Sequence, residues 1–396
     1  MGAARIRFSM PQDPVLSASF LTFEVEPELR KGRRFLFFWA RNAIFHGLKA
    51  LEIPKASRIL VPAYICRAAV EPICAYGATV DFYDVQPDCA PDWDDLLKRI
   101  RPDTKALMAV HYFGFPQHMR TLREICDQHG LKLIEDCAHV FPGRDGDRQK
   151  GTVGDISVFS WRKFFPLYDG GELRLNSPAE PFKIQWTAET LLFTAKTAKG
   201  VLDSAVDQTG NVLFQSLWRA PSALKHIRRG SAPDNNGNGD HLPAQSIIDS
   251  RAVSFQASLV NQPISRVSLW ILQHSDGQAV YEKRRHNYRI LQAELEQIPG
   301  VAPLFPSLPQ GICPWIFPVV FHDLPNAHRR LRARGIPAVA WEGVRPPDTH
   351  RERFPNSDFL YENLVFLPVH QSLSENHLAR IVDVAAGVAR EKVPCF

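Results

Sequence analysis

From Lys132 to Gly171 the chain reads KLIEDCAHVFPG, then a polar spacer, then GDISVFSWRKFFPLYDGG. Leu131, Leu133 and Ile134 form an aliphatic run that stops at Glu135-Asp136. This is the pattern of a buried parallel strand that delivers carboxylates at its C-terminal edge, where open α/β sheets bind ligands. A second β-prone run, Ile156–Trp161, carries Ser160, and Lys163 follows in a turn closed by Asp169-Gly170-Gly171. Two neighbouring strand ends thus hold an acid and an amine.

That pairing suits pyridoxal phosphate. A carboxylate keeps the pyridine nitrogen protonated so that the ring accepts electrons, while a lysine joins the aldehyde carbon. Residue types alone do not decide it, because strand-end aspartates commonly cap helices or pair with cations and lone lysines are commonly solvated. Order and context add to it. Ile134-Glu135-Asp136-Cys137-Ala138-His139, Gly151, Gly154-Asp155, Phe159-Ser160-Trp161, Lys163 and Gly170-Gly171 follow one another as in the sugar aminotransferases of the DegT/DnrJ/EryC1/StrS family, which the stretch resembles. The resemblance implies a fold type I pyridoxal phosphate enzyme: a large α/β domain with a mixed, mostly parallel sheet flanked by helices, plus a smaller C-terminal α/β domain. It makes Lys163 the Schiff-base lysine and Asp136 the partner of the ring nitrogen. It also gives Ser160 to the cofactor phosphate and His139 to the phenolic oxygen, where the family has glutamine. An imidazole N–H can donate to the same oxygen. The spacer from Ser160 to Lys163 is shorter than in most members.

Length and composition agree with a globular enzyme. The 396 residues are 45% apolar, enough for a large core and two domains. No apolar run approaches the ~20 residues of a membrane span, and the N-terminus lacks the plan of a signal peptide, so the cytoplasm is the expected location. Seven scattered cysteines without CxxC spacing argue for reduced thiols and against a disulfide framework or zinc site; no metal is expected. A net charge of +5 does not call for nucleic acid and is compatible with an anionic substrate.

N-terminal to the central stretch, Phe35–Trp39 is a dense apolar run, followed by a helical pattern at Ala43, Phe45, Leu48 and Leu51. The start of such a helix offers backbone N–H groups to a phosphate, and by resemblance Asn42 and Ala43 fall at phosphate-binding positions. Trp39-Ala40 stands where the family has Ser-Gly. The stretch VPAYICRAAVEPICAYGATVDFYDVQP (61–87) reads as strand, helix, strand. It resembles the family segment whose aromatic stacks on the cofactor ring, and that position is Cys66 here, with Tyr64 a nearby substitute. Asp92 opens an acidic helix, Lys105–Val110 is the next strand, ending in His111-Tyr112-Phe113-Gly114, and a helix spans 118–129. Alternation of strand and helix at about 25-residue steps is the rhythm of a parallel sheet wound with helices.

Residues 178–263 do not follow the family pattern. Trp186–Leu202 and Asn211–Arg229 have helical apolar spacing with basic polar faces, and Ala232–His241 (APDNNGNGDH) is loop-like. A basic amphipathic face suits a membrane surface less often than a packed helix with a charged outer side. Val267–Leu295 reads as one long helix containing Arg284-Arg285, Trp315–Phe321 as a strand, Ala327–Arg334 as a helix and Phe366–His370 as a strand end before a helix from Ser374. The division expected is an arm (1–34), a cofactor-binding domain (35–264) and a small domain (265–396). By resemblance the reaction is transfer of an amino group, with glutamate the usual donor, to a keto group on a nucleotide-linked sugar, in a homodimer with shared active sites. Pyridoxal-dependent dehydration or another lyase reaction, a non-sugar acceptor, or a non-catalytic protein on an aminotransferase fold are the alternatives.

Overall fold

The computed structural model describes residues 10–22, 33–141, 144–145, 148–176, 182–208, 254–349 and 352–391. Twelve strands lie among the described residues: β1 (Arg34–Phe37), β2 (Arg58–Pro62), β3 (Thr79–Tyr83), β4 (Thr104–Val110), β5 (Lys132–Cys137), β6 (Arg144–Asp145), β7 (Arg148–Gln149), β8 (Ile156–Ser160), β9 (Gly171–Leu175), β10 (Val301–Pro303), β11 (Ile316–Phe321) and β12 (Leu364–Pro368). Seven form one sheet in the order β1-β9-β8-β5-β4-β2-β3. Strands β8, β5, β4, β2 and β3 run parallel, and β9 is antiparallel to both β8 and β1. The central strands are buried along nearly their whole length, which is why they read as continuous aliphatic runs. The register pairs Val110 with Asp136 and Asp136 with Val158, so β4, β5 and β8 end at one level.

Ten α-helices are described: α1 (Ala40–Ala50), α2 (Arg67–Tyr76), α3 (Trp93–Lys98), α4 (Met119–His129), α5 (Leu191–Gln208), α6 (Arg266–Gln273), α7 (Gly277–Leu295), α8 (Ala327–Ala333), α9 (Pro355–Asn363) and α10 (Glu375–Ala389). Asp92 caps α3 by accepting from the Asp95 N–H, and Ser374 with His377 forms a capping box on α10. The single helix expected over Val267–Leu295 is two. Asp276 accepts from the Ala279 N–H and starts α7 afresh, while the Ser275 hydroxyl donates to Ile271 O; local side-chain bonds overcome the helical apolar spacing here. Of the 178–263 segment, α5 replaces the helix expected over Trp186–Leu202; Asn211–Arg229 and the Ala232–His241 loop lie outside the described residues. No described helix is long and apolar enough to cross a membrane.

Strands β10, β11 and β12 make a second, antiparallel sheet, covered by α7, α8 and α10, in the smaller C-terminal domain. One tie to the large domain is Arg284, wholly buried on α7. Its guanidinium donates to Gln371 Oε1 (3.0 Å), Trp315 O (3.0 Å), Pro314 O (3.4 Å), Lys163 O (3.1 Å) and Phe164 O (3.3 Å). Among the described residues it meets no carboxylate, so carbonyl dipoles alone offset the cost of burying its charge. Gln371 also donates to Phe164 O at 2.8 Å. The turn that carries Lys163 is therefore fastened to the small domain through its backbone.

Gly171 opens β9 directly behind the start of α1, and a Cβ there would lie 2.2 Å from Trp39 C and 2.3 Å from Ala40 N. Neither backbone atom can retreat without moving the helix. Gly171→Ala is expected to lose about 3 kcal/mol or more of stability, read from the urea midpoint at unchanged m-value; a loss below a few tenths would refute the close packing. Arg284→Met takes a donor from the carbonyls of residues 163, 314 and 315 while removing a buried charge; Phe164 O keeps Gln371. The expected net loss is about 2–3 kcal/mol, measured in the same way.

Candidate active site

Side chains alternate along β5, and this separates the two carboxylates that the sequence places side by side. Glu135 turns away from the cleft. It accepts from Val153 N at 2.7 Å, from Gly154 N, and from His111 Nε2 at 2.9 Å. His111 Nδ1 in turn accepts from Gln117 N at 3.1 Å, so Nε2 carries the proton given to Glu135. His111, Glu135 and Cys137 lie within 4.8 Å of one another through their ligand atoms, but these hydrogen bonds account for the carboxylate: it fastens the loop that leads into β8. Asp155 adds to this by accepting from Leu133 N at 2.8 Å and Arg123 Nη1 at 2.9 Å.

Asp136 turns the other way, into a cleft enclosing about 920 Å³ with its open mouth and lined also by His139, Ser160, Arg162, Lys163, Cys66 and Arg41. Burial pushes its carboxyl up, opposed by the Lys163 charge, by the Ala138 N–H that donates at 2.9 Å and by His111. Lys163 ends a single 3₁₀ turn, Trp161–Lys163, directly after β8. Its Nζ sits 4.5 Å from the centroid of the Trp315 ring. Burial in this wall brings the ammonium down to about 8, against the pull of Asp136 and Cys66 and with a further push from Arg162. An amine that deprotonates so near neutrality is available as nucleophile and base.

His139 lies parallel to Trp315, centroids 4.1 Å apart at 20°. Its Nδ1 accepts from Phe113 N at 3.3 Å, which fixes the proton on Nε2. Burial, and next the Lys163 charge, hold the ring well below the usual histidine range, so it is a neutral donor. Phe113 itself has φ +59°, a backbone state few non-glycine residues adopt. Its N–H meets His139 while its carbonyl accepts from Trp315 N at 3.0 Å, and this double use holds the strained residue in place. Ser160, buried at the end of β8, is paired across the sheet with Gly171.

Of the residues singled out in the sequence, Asp136, His139, Ser160, Lys163 and Cys66 come together in this cleft, whereas Asn42 and Ala43 do not line it. The Asn42 side chain donates to Leu259 O, and Ala43 is packed in the core. The helix starts two residues earlier, at Ala40, so Trp39, Ala40 and Arg41 form the wall that was expected from 42–43. Cys66 stands at the N-cap of α2 and offers no ring. Tyr64 is not the substitute, for it is buried against Tyr112, Trp341 and Tyr361. The aromatic walls are Trp39, Trp315 and Trp341. Trp315 and Trp341 arrive from the small domain, too far along the chain for local sequence reading to place; a tryptophan opening a strand was the only cue.

Residues 40–188 match the model of the DegT/DnrJ/EryC1/StrS aminotransferase family. GDP-perosamine synthase of Vibrio cholerae is 34% identical over 138 residues, which is 34% of this chain and 38% of that enzyme. A UDP-N-acetyl-3-dehydro-alpha-D-glucosamine 3-aminotransferase of Acidithiobacillus ferrooxidans is 35% identical over 126 residues, 32% of this chain and 33% of its own length. The chain thus matches 38% and 33% of the length of these two relatives. The fold likeness extends further: PseC of Helicobacter pylori, an aminotransferase involved in pseudoaminic acid biosynthesis, superposes with a TM-score of 0.63 at 16% identity, over 96% of this chain and 99% of that one. A DegT DnrJ EryC1 StrS aminotransferase from Brucella abortus gives 0.61 at 20% identity, over 90% and 86%. The stretch that builds the cleft is thus similar to the DegT/DnrJ/EryC1/StrS aminotransferase family, and the architecture around it is that of the fold type I aminotransferase scaffold.

Proposed function

We propose that the protein is a pyridoxal phosphate-dependent aminotransferase that moves an amino group from an amino acid, with glutamate the first donor to test, to a keto group on a nucleotide-linked sugar, as a cytoplasmic homodimer. The observation that carries this reading is the meeting of Asp136 and Lys163, from adjacent parallel strand ends, in one aromatic-walled cleft. The donor set fits the cofactor: a carboxylate for its ring nitrogen, a neutral imidazole N–H for its ring oxygen and a hydroxyl for its phosphate. When bound, the cofactor supplies an aldehyde and an electron-withdrawing ring. The curated relatives named above bear on sugar chemistry by their names, which supports the acceptor class.

The chain's own residues then have distinct tasks. Asp136 holds a positive ring nitrogen, because its ionised form is favoured once a second cation stands beside it. His139 donates through Nε2 without carrying charge, the tautomer fixed by Phe113. Lys163 would hold the cofactor through Nζ and, as a free amine, would serve as the base that takes and returns a proton beside it. Burial lowers its amine to about 8 in the cofactor-free chain, which brings both proton uptake and release within reach. Trp315 lies against one side of Nζ, 4.5 Å from it at the ring centroid.

Pyridoxal phosphate added to the purified protein is expected to give a visible absorption band that Lys163→Ala lacks. Glutamate should bleach that band and release 2-oxoglutarate. Release of 2-oxoglutarate without turnover on any nucleotide-linked keto sugar, but with turnover on simple oxo acids, would overturn the acceptor class. A band that survives in Lys163→Ala would overturn the whole reading. The pH dependence follows from the buried amine: in the cofactor-free protein, the rate of covalent capture of pyridoxal at Lys163 should rise with pH about a midpoint near 8. Since Asp136 favours the ammonium, Asp136→Asn should move this midpoint to lower pH; an upward move would contradict the assigned pairing.

A further inference from the structure

The segment from Met10 to Val15 lies far from Lys163 in the chain and beside it in the fold. Pro11 and Pro14 bracket Gln12-Asp13; a proline fixes its own φ and favours an extended residue before it, so the stretch is stiff. The small domain fastens it at both ends. His370 Nε2 donates to Pro11 O at 3.1 Å, and Val15 N donates to Ser372 Oγ at 2.8 Å. Asp13 between these ties is only 7% exposed. Gln12, Asp13 and Pro14 line a second, smaller cavity together with Lys163, Trp315 and His370. Lys163 and Trp315 line the main cleft as well, so they stand between two spaces, with Asp136 lining one and Asp13 the other. A carboxylate buried to this degree calls for a cation. Arg162 answers it: among the charges that support this guanidinium Asp13 comes first, ahead of Tyr168 and Asp169. Arg162 lines the main cleft with Asp136 and directly precedes Lys163. The charges that pull the Asp136 carboxyl down are nevertheless those of Lys163 and His111. The remaining groups facing this set are Cys66, which supports the Lys163 ammonium, His139, which that ammonium pushes down, and Arg41, which Arg162 pushes down.

We infer that Asp13 is a positioning residue of the reaction centre: carried on the N-terminal segment, it draws the Arg162 guanidinium to itself and so leaves Asp136 to the Lys163 amine. Without Asp13, the guanidinium turns to the next ionised carboxylate in reach, Asp136, and competes there with Lys163. The segment Met10–Val15, set in place by His370 and Ser372, is thereby part of the site. Its task in amino transfer rests on the function proposed above, whereas the coupling of Asp13 to Lys163 through Arg162 needs no cofactor.

The test reads the Lys163 amine alone. The cofactor-free protein is labelled with trace acetic anhydride across a pH series, and acetylation is mapped by mass on the peptide containing Lys163. Asp13→Asn is expected to move the Lys163 midpoint to lower pH by about 0.3 unit or more; Asp13→Ser, a second neutral variant, should move it the same way. Asp13→Glu keeps the charge and should stay closer to the wild type than Asp13→Asn does. Arg162→Gln should move the midpoint up. The deciding comparison is the double variant: with Arg162→Gln in place, Asp13→Asn should cause less than half the shift it causes alone. A smaller or upward move in both neutral variants overturns the inference, as does Asp13→Glu shifting as far as Asp13→Asn, or half or more of the shift surviving in the double variant, since Asp13 would then act on Lys163 directly or through the fold. The labelling uses no cofactor, so a wild type that binds no pyridoxal phosphate would refute the proposed function and leave this result standing.

Discussion

The Glu135 carboxylate never enters the cleft, yet the cleft's geometry depends on it. Alternation along β5 puts it behind the sheet, where it gathers the N–H groups of Val153 and Gly154 and the proton of His111. A buried carboxylate with three donors is strongly held, and the loop it holds leads into β8. The level at which β8 ends decides where the following turn begins, and so where Lys163 stands relative to Asp136. One residue of slip would exchange the faces of the strand and send Ser160 away from the cleft. The acid that faces the cleft and the acid that sets register are thus consecutive residues with opposite directions.

The small domain closes the same arrangement from the other side. Arg284 grips the carbonyls of Lys163 and Phe164 along with those of Pro314 and Trp315, tying the lysine turn to the segment that lays an indole beneath the amine. Phe113 holds the third corner, paying backbone strain to orient His139 and Trp315 together. Arg284 takes the lysine turn by its backbone carbonyls, which leaves the Lys163 side chain to face the cleft.

Much of this was legible in the chain. The aliphatic runs before Glu135-Asp136 and through Ile156–Phe159 mark buried parallel strands, because both faces of such a strand are covered, and the glycines at 170–171 mark a turn against another backbone. Asn42 and Ala43 lie inside the helix and off the cleft wall, since apolar spacing reports which side of a helix is buried but not where its first turn starts; Trp39, an N-cap without a capping side chain, gives no signal for that start. Trp315, Trp341 and Arg284 reach the site through tertiary packing at long sequence separation, beyond any local pattern. The break between α6 and α7 is made by Ser275 and Asp276, whose side-chain hydrogen bonds compete with the helix more strongly than the apolar spacing suggests.

The central claim is that the amine at the end of β8 is the attachment point for the cofactor, facing the carboxylate at the end of β5. The most direct measurement is borohydride reduction of the protein loaded with pyridoxal phosphate, followed by digestion and peptide mass mapping. The account predicts one phosphopyridoxyl group, on the peptide containing Lys163, in stoichiometric yield. A group spread over surface lysines, or none on Lys163, would contradict it.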